Sequence, residues 1–157
     1  MLTLIKNLSR SVLGICAKLG WLGPLLVRVL VGVAFVLSGW GKLHSLDNVT
    51  GFFTELHIPL PHANAVFVSC VELIGGVLLV LGLGTRIAAL FLIGTMVVAF
   101  FTAILPKLDS KLDLFSTIEL TYLVIFVWLG LSGGGKASLD HLLFRRGQPD
   151  PQVGEAA

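Results

Sequence analysis

Four long apolar stretches are joined by short polar connections, and the polar residues inside the stretches recur with a helical period. The stretches run over 22–41, 63–83, 87–105 and 114–132. Each is near the ~20 residues that a helix needs to cross the hydrocarbon core of a bilayer. In the first, Arg28, Gly32, Phe35, Gly39 and Lys42 follow one another at alternating steps of four and three, which puts them on one face. His62, Ala65, Ser69, Glu72 and Gly76 do the same in the second, and Ala88, Phe91, Thr95, Ala99 and Thr102 share a face of the third at steps of three and four. The fourth has Ser116, Glu119, Tyr122, Phe126, Gly130 and Gly133. The other faces are Leu, Val and Ile. Small residues let helices approach closely in lipid, and polar groups must face protein or water. The pattern predicts an all-α membrane protein: a four-transmembrane-helix bundle with its charges turned inward.

Shorter signals complete the outline. Gly82, Gly84, Thr85 and Arg86 form a tight turn that makes the second and third helices antiparallel neighbours. Over residues 1–20, Leu4, Leu8, Val12, Ile15 and Leu19 share one helical face, and Lys6, Arg10, Gly14 and Lys18 the other. That is an amphipathic interfacial helix, and no small-residue cleavage site follows it, so no cleavable signal peptide is expected. In the connection 43–61, Asp47 is placed to cap a short helix running through His57, with Phe52, Phe53 and Leu56 on its apolar face. Ile58-Pro59-Leu60-Pro61 then stops it. After Gly133-Gly134-Gly135, Ser138 is expected to cap a last short helix, Leu139–Arg145. The tail 147–157 holds two prolines and little to bury, and is expected to be disordered. The transmembrane domain is therefore drawn over 21–146.

Composition agrees. The chain is 55% hydrophobic and 13% charged, with a mean hydropathy of +0.95, outside the range of soluble domains. Seven Lys and Arg residues fall on the side of the amino-terminal helix, the tight turn and the carboxyl tail, against three on the other. Both termini are accordingly predicted to be cytoplasmic. A net charge of +2 without a basic cluster excludes nucleic acid as a partner. Cys16 and Cys70 form no CxxC and have no activating neighbour in sequence, so both read as filler. His44, His57 and His62 match no compact metal spacing, and no histidine falls between 63 and 132 to hold a haem. Gly39-Trp40-Gly41-Lys42 lacks the length of a P-loop. Four short spans with no inverted repeat and no continuous polar path argue against a transporter or a pore. Neither a metal nor an encoded redox cofactor is expected.

Glu72 is the conspicuous residue, a carboxyl in the middle of an apolar run, where a charge is costly and a functional role is the default hypothesis. Counting 1.5 Å per residue from the span edges puts Arg28 within reach of Glu72, and Lys42 within reach of Glu119. Two neutralised pairs are therefore expected. Such pairs either fix helix register or hold a group that relays a proton or orients a ligand. Glu72 is the proton-handling candidate. Arg28, Lys42, Glu119 and Tyr122 join it as candidate ligand-binding residues.

These residues, in this order, resemble the DoxX family of small bacterial membrane proteins over about 25–143. The resemblance rests on Arg28, Gly32, Phe35, Ser38-Gly39 and Lys42, then on Glu72, Gly75-Gly76, Leu81-Gly82 and Thr85-Arg86. Glu119, Tyr122, the glycine-rich turn and Ser138-Leu139-Asp140 complete it. It implies a four-helix protein of the bacterial inner membrane, associated with redox chemistry. The family name is shared with a subunit of a thiosulfate:quinone oxidoreductase, and some relatives act beside detoxification enzymes. The implied function is a membrane component of a redox or stress-detoxification system, at most a membrane subunit of a quinone-linked oxidoreductase. A quinone or similar lipophilic molecule would lie in the bundle. Glu72 would exchange a proton, Arg28 would tune its charge, and Tyr122 would bond a ligand carbonyl. Expected partners are the bilayer and a redox-enzyme subunit or a further copy of the chain. The alternative is a non-enzymatic scaffold or assembly protein that recruits a soluble enzyme through the amphipathic helix and the 138–146 segment. The chain departs from the family pattern in the extension 1–20 and in the lysine- and aspartate-rich connection 106–113.

Overall fold

A computed structural model describes residues 19–107, 115, 117–135 and 137–145. The predicted amphipathic helix and the carboxyl tail lie, apart from Leu19 and Gly20, outside these residues. The described residues are mostly helical, and no strand occurs among them. We label the helices α1 (Leu22–His44), α2 (Leu46–Glu55), α3 (Pro61–Leu81), α4 (Thr85–Ala99), α5 (Ile118–Ser132) and α6 (Leu139–Arg145). A π-helical turn, Phe100–Ile104, extends α4, and a 3-10 turn, Leu105–Lys107, follows it.

Among the described residues three helical segments are long and apolar enough to cross a bilayer: Leu22–His44, Pro61–Leu81 and Thr85–Ile104. Within the fourth expected span the described regular helix is Ile118–Ser132. Its helix α5 has 15 residues, or about 22 Å of rise. Thr117 is extended, and the regular helix starts only at Ile118. Leu30, Leu37, Ile74, Leu90 and Leu131 are all well over half exposed around the bundle, as lipid-facing side chains must be. The molecule is an all-α membrane bundle.

Glycine sets the closest helix contact. α1 and α3 are antiparallel, with Gly32 across from Gly76 and Val80, and Gly39 across from Ser69 and Leu73. A Cβ on Gly76 would stand 2.6 Å from the Val36 nitrogen, and one on Gly39 would stand 2.7 Å from the Ser69 carbonyl oxygen. Only backbone fits there. The rest of the core is Val31, Phe35, Leu79, Ala88, Ala89, Leu92, Met96, Phe126 and Leu129. Phe35 bridges α1 to α5 by edge-to-face packing on Tyr122 and Phe126, with centroids 5.2 and 4.9 Å away.

The predicted tight turn is present. Gly82 and Gly84 have φ of 69° and 56°. Leu83 N–H donates to the Leu78 carbonyl and Gly82 N–H to that of Leu79, a Schellman ending with glycine in the left-handed position. Helix α2 ends the same way, Ile58 N–H on Phe53 and His57 N–H on Thr54, but its left-handed residue is His57, at φ 56°. Asp47 does not cap α2. α1 runs to His44, so Ser45 alone separates the two helices and Asp47 is already inside the first turn of α2. Ser138 does cap α6, accepting the His141 N–H at 3.1 Å.

Candidate functional site

The α1–α3 register decides which charges meet. With Gly39 against Ser69 and Leu73, Glu72 stands level with Ser38, and Lys42 lies one turn further along α1. Lys42 reaches back to Glu72 Oε1 at 2.5 Å, and the Ser38 hydroxyl donates to Oε2 at 2.8 Å. Glu72 is 1% exposed. Its cost in low dielectric is offset by one cation and one hydroxyl, both from the same face of α1.

The expected pairing is therefore corrected. Glu72 pairs with Lys42 and not with Arg28, and Glu119 has no ion pair among the described residues. The depth count failed because it treated Leu22 and Leu83 as level. The glycine contacts put Arg28 opposite Gly82, where a Cβ would stand 2.5 Å from Arg28 Nη1. Arg28 is thus a full end of the bundle away from Glu72.

Arg28 does different work. It is 1% exposed and donates through Nη1 to the Gly134 carbonyl and through Nη2 to that of Ala137, at 2.9 Å for the second. These carbonyls follow the end of α5, where a cation is favoured. Asp140 completes the clasp: its carboxylate accepts the N–H of Gly84 at 2.7 Å and of Thr85 at 3.1 Å, closing the start of α4. Its own N–H donates to the Gly82 carbonyl at 3.0 Å. Gly134 is needed for this approach, because a Cβ there would stand 2.8 Å from Thr85 Oγ1. Arg28, the turn and Ser138–Asp140, all read as family-like in sequence, form one structural joint.

At the other end the helices part around a cavity of about 1000 Å³. Lys42, Glu72, Glu119 and Tyr122 line it together; Arg28 does not. Ser38, Thr95 and Thr102 add hydroxyls, and Asn48 and Asn64 add amides. The remaining lining is chiefly apolar, with Phe35, Phe52, Phe53, Phe67, Phe91 and Met96 prominent. Helix α2 forms one wall through Asn48, Val49, Phe52, Phe53 and Leu56, and the π-helical turn contributes Thr102 and Ala103. The loop from α2 is pinned by Asn64, whose side-chain amide donates to the Pro59 carbonyl at 2.6 Å. Large, mostly apolar pockets with a few convergent polar groups are the usual form of a small-molecule site.

Sequence reasoning assigned no role to Ser38, although it lies four residues before Lys42 and therefore on the same face. It also missed α2 as a wall, because nothing in a 10-residue amphipathic helix says which way it folds back. His44, His57 and His62 are exposed, and no group of three metal-ligating side chains occurs among the described residues. Cys70 is free and partly buried.

Comparison with known proteins agrees with this architecture. The DoxX family profile matches residues 23–104. The chain is 32% identical over 126 residues to a Bacillus subtilis (strain 168) protein named "Putative oxidoreductase CatD", covering 79% of this chain and 89% of that one. It is 28% identical over 132 residues to "Inner membrane protein YqjF" of Escherichia coli (strain K12), covering 82% of this chain and 98% of that one. It is 31% identical over 131 residues to "Uncharacterized membrane protein Rv3486" of Mycobacterium tuberculosis, covering 76% and 80%. No solved structure matches the chain. With its family-like residues divided between a joint at one end and a cavity at the other, the chain belongs to the DoxX family.

Proposed function

We propose that this protein is an inner-membrane component of a redox or stress-detoxification system, and that it binds a quinone or similar lipid-soluble ring compound in the cavity. The observation that carries the reading is the ion pair of buried Glu72 with Lys42, backed by Ser38, on the lining of a mostly apolar cavity of about 1000 Å³. The apolar walls suit a ring and its tail, and the polar groups suit the ring oxygens. Lys42, rather than Arg28, is placed to set the charge on Glu72. The spare N–H donors of Lys42 suit a ligand oxygen, with Glu72 beside them as the proton-exchanging group. Electrons would come from a partner or from the ligand itself, since redox chemistry of this kind resides in a cofactor or substrate rather than in these side chains. One relative's name, an oxidoreductase, supports the same direction.

The test is calorimetric titration of the purified full chain in lipid nanodiscs with a decyl-tailed benzoquinone, against empty nanodiscs. Saturable binding is expected, weakened about tenfold or more by Glu72→Gln, the scale of one lost charge-assisted hydrogen bond. Titration curves no different from those of empty nanodiscs would sink the reading. A scaffold role draws support from α6, where Leu142 and Leu143 are 65% and 62% exposed on a helix that Asp140 holds in place. Co-isolation of a soluble enzyme from mild detergent, lost on Leu142→Ser/Leu143→Ser and kept on Glu72→Gln, would favour it.

A further inference from the structure

The cavity holds a second carboxyl that the Lys42–Glu72 pair does not use. Glu119 lines it, partly exposed to it, with neither an ion pair nor a hydrogen bond among the described residues. Tyr122 follows three residues later and so shares that face of α5. Its ring is fixed, edge-to-face on Phe35 at 5.2 Å and stacked with Phe126 at 6.4 Å, while it too lines the cavity. Lys42, on the lining of the same cavity, spends one of its three N–H donors on Glu72 and keeps its side chain 33% exposed.

A ligand in this space therefore meets spare donors on Lys42 and a spare acceptor on Glu119. A quinone ring oxygen only accepts, so it suits Lys42 and leaves the Glu119 acceptors unpaired. A hydroquinone oxygen both accepts and donates, and its two hydroxyls can serve Lys42 at one end and Glu119 at the other. Sites that present a buried hydrogen-bonding group reject analogues that leave it unpaired. Resting on the reading that the cavity takes a quinone-type ring, we infer that Glu119 is a specificity-determining residue. It makes the site select the reduced, dihydroxylated form of the ligand over the oxidised form. Lys42 and Glu72 hold either form; Glu119 distinguishes them.

The experiment is anaerobic calorimetry of the full chain in lipid nanodiscs with three probes that share one ring and decyl tail: the hydroquinone, its dimethyl ether and the quinone. The hydroquinone is expected to bind about tenfold to a hundredfold tighter than the other two, the range of one hydrogen bond to a charged group. Glu119→Met, which keeps the length and removes the acceptor, is expected to bring the three within about twofold of one another, with Glu119→Gln intermediate. Glu72→Gln is expected to weaken all three while keeping the preference. Equal binding of the three probes to the unsubstituted protein, or tighter quinone, overturns the inference and leaves the quinone-type reading standing. A preference unchanged in Glu119→Met also overturns it. If no probe binds, both fall. Where Glu119→Met does not fold, Glu119→Gln carries the test, and an undiminished preference in it overturns the inference.

Discussion

Glu72 and Arg28 are equally buried, at 1% exposure, yet they are neutralised by different means. Glu72 has a formal counter-ion in Lys42, whereas Arg28 is held by backbone carbonyls, with Asp140 close by in the same joint. Removing the Lys42 amine leaves Glu72 with Ser38 alone. Lys42→Met is expected to destabilise the protein by about 3 kcal/mol, at the low end for a broken buried pair because Lys42 is itself partly exposed. Adding Glu72→Leu to Lys42→Met should restore much of that loss, since no buried charge is then left unpaired. Unfolding midpoints in detergent, followed by circular dichroism, check both variants. A second prediction concerns His57, which occupies the left-handed position that Gly82 fills in the equivalent ending of α3. A side chain strains that conformation, so His57→Gly should raise stability by about 0.5–1 kcal/mol in the same assay.

At the level of elements, the contact between α1 and α3 is a backbone contact, and its tolerance is correspondingly small. Gly76→Ala is expected to cost about 3 kcal/mol, because its Cβ would meet the Val36 nitrogen and the Gly32 oxygen, and backbone cannot step aside as a side chain can. Gly41→Ala, on α1 but away from the α1–α3 contact, is the control: nothing lies within 4 Å of its Cβ, and the change should be neutral or slightly stabilising. Equal losses in the two variants, measured by denaturant titration, would show that helix approach is not what Gly76 provides. The stripe of small residues was readable from sequence because its period is that of the helix. The Gly82–Arg86 turn and the Ser138 cap were readable because each needs only a few local residue types. Helix α2 was half readable. Its apolar face was clear, but Asp47 was misassigned as a cap because local propensity does not reveal that α1 would persist to His44.

The molecule as a whole is organised as two ends joined by stiff helices. Arg28 and Asp140 lock three chain segments at one end, and Lys42, Glu72, Glu119 and Tyr122 surround a cavity at the other. Sequence brought these charged residues to the right faces but to the wrong partners. Helical periodicity fixes azimuth, whereas height depends on how two helices slide past each other, and here buried glycines set the slide. A thermodynamic cycle separates the two arrangements. Arg28 and Lys42 are fourteen positions apart on α1, or about 21 Å of rise, far beyond the distance at which substitutions usually couple. Arg28→Met and Glu72→Gln should therefore add to within about 0.5 kcal/mol, while Lys42→Met and Glu72→Gln should couple by about 1–3 kcal/mol. Stabilities of the three single and two double variants and of the unsubstituted protein, from denaturant titration in one detergent, supply both cycles. Coupling between Arg28 and Glu72 as large as that between Lys42 and Glu72 would mean that the two charges meet, and would overturn the register on which the cavity is built.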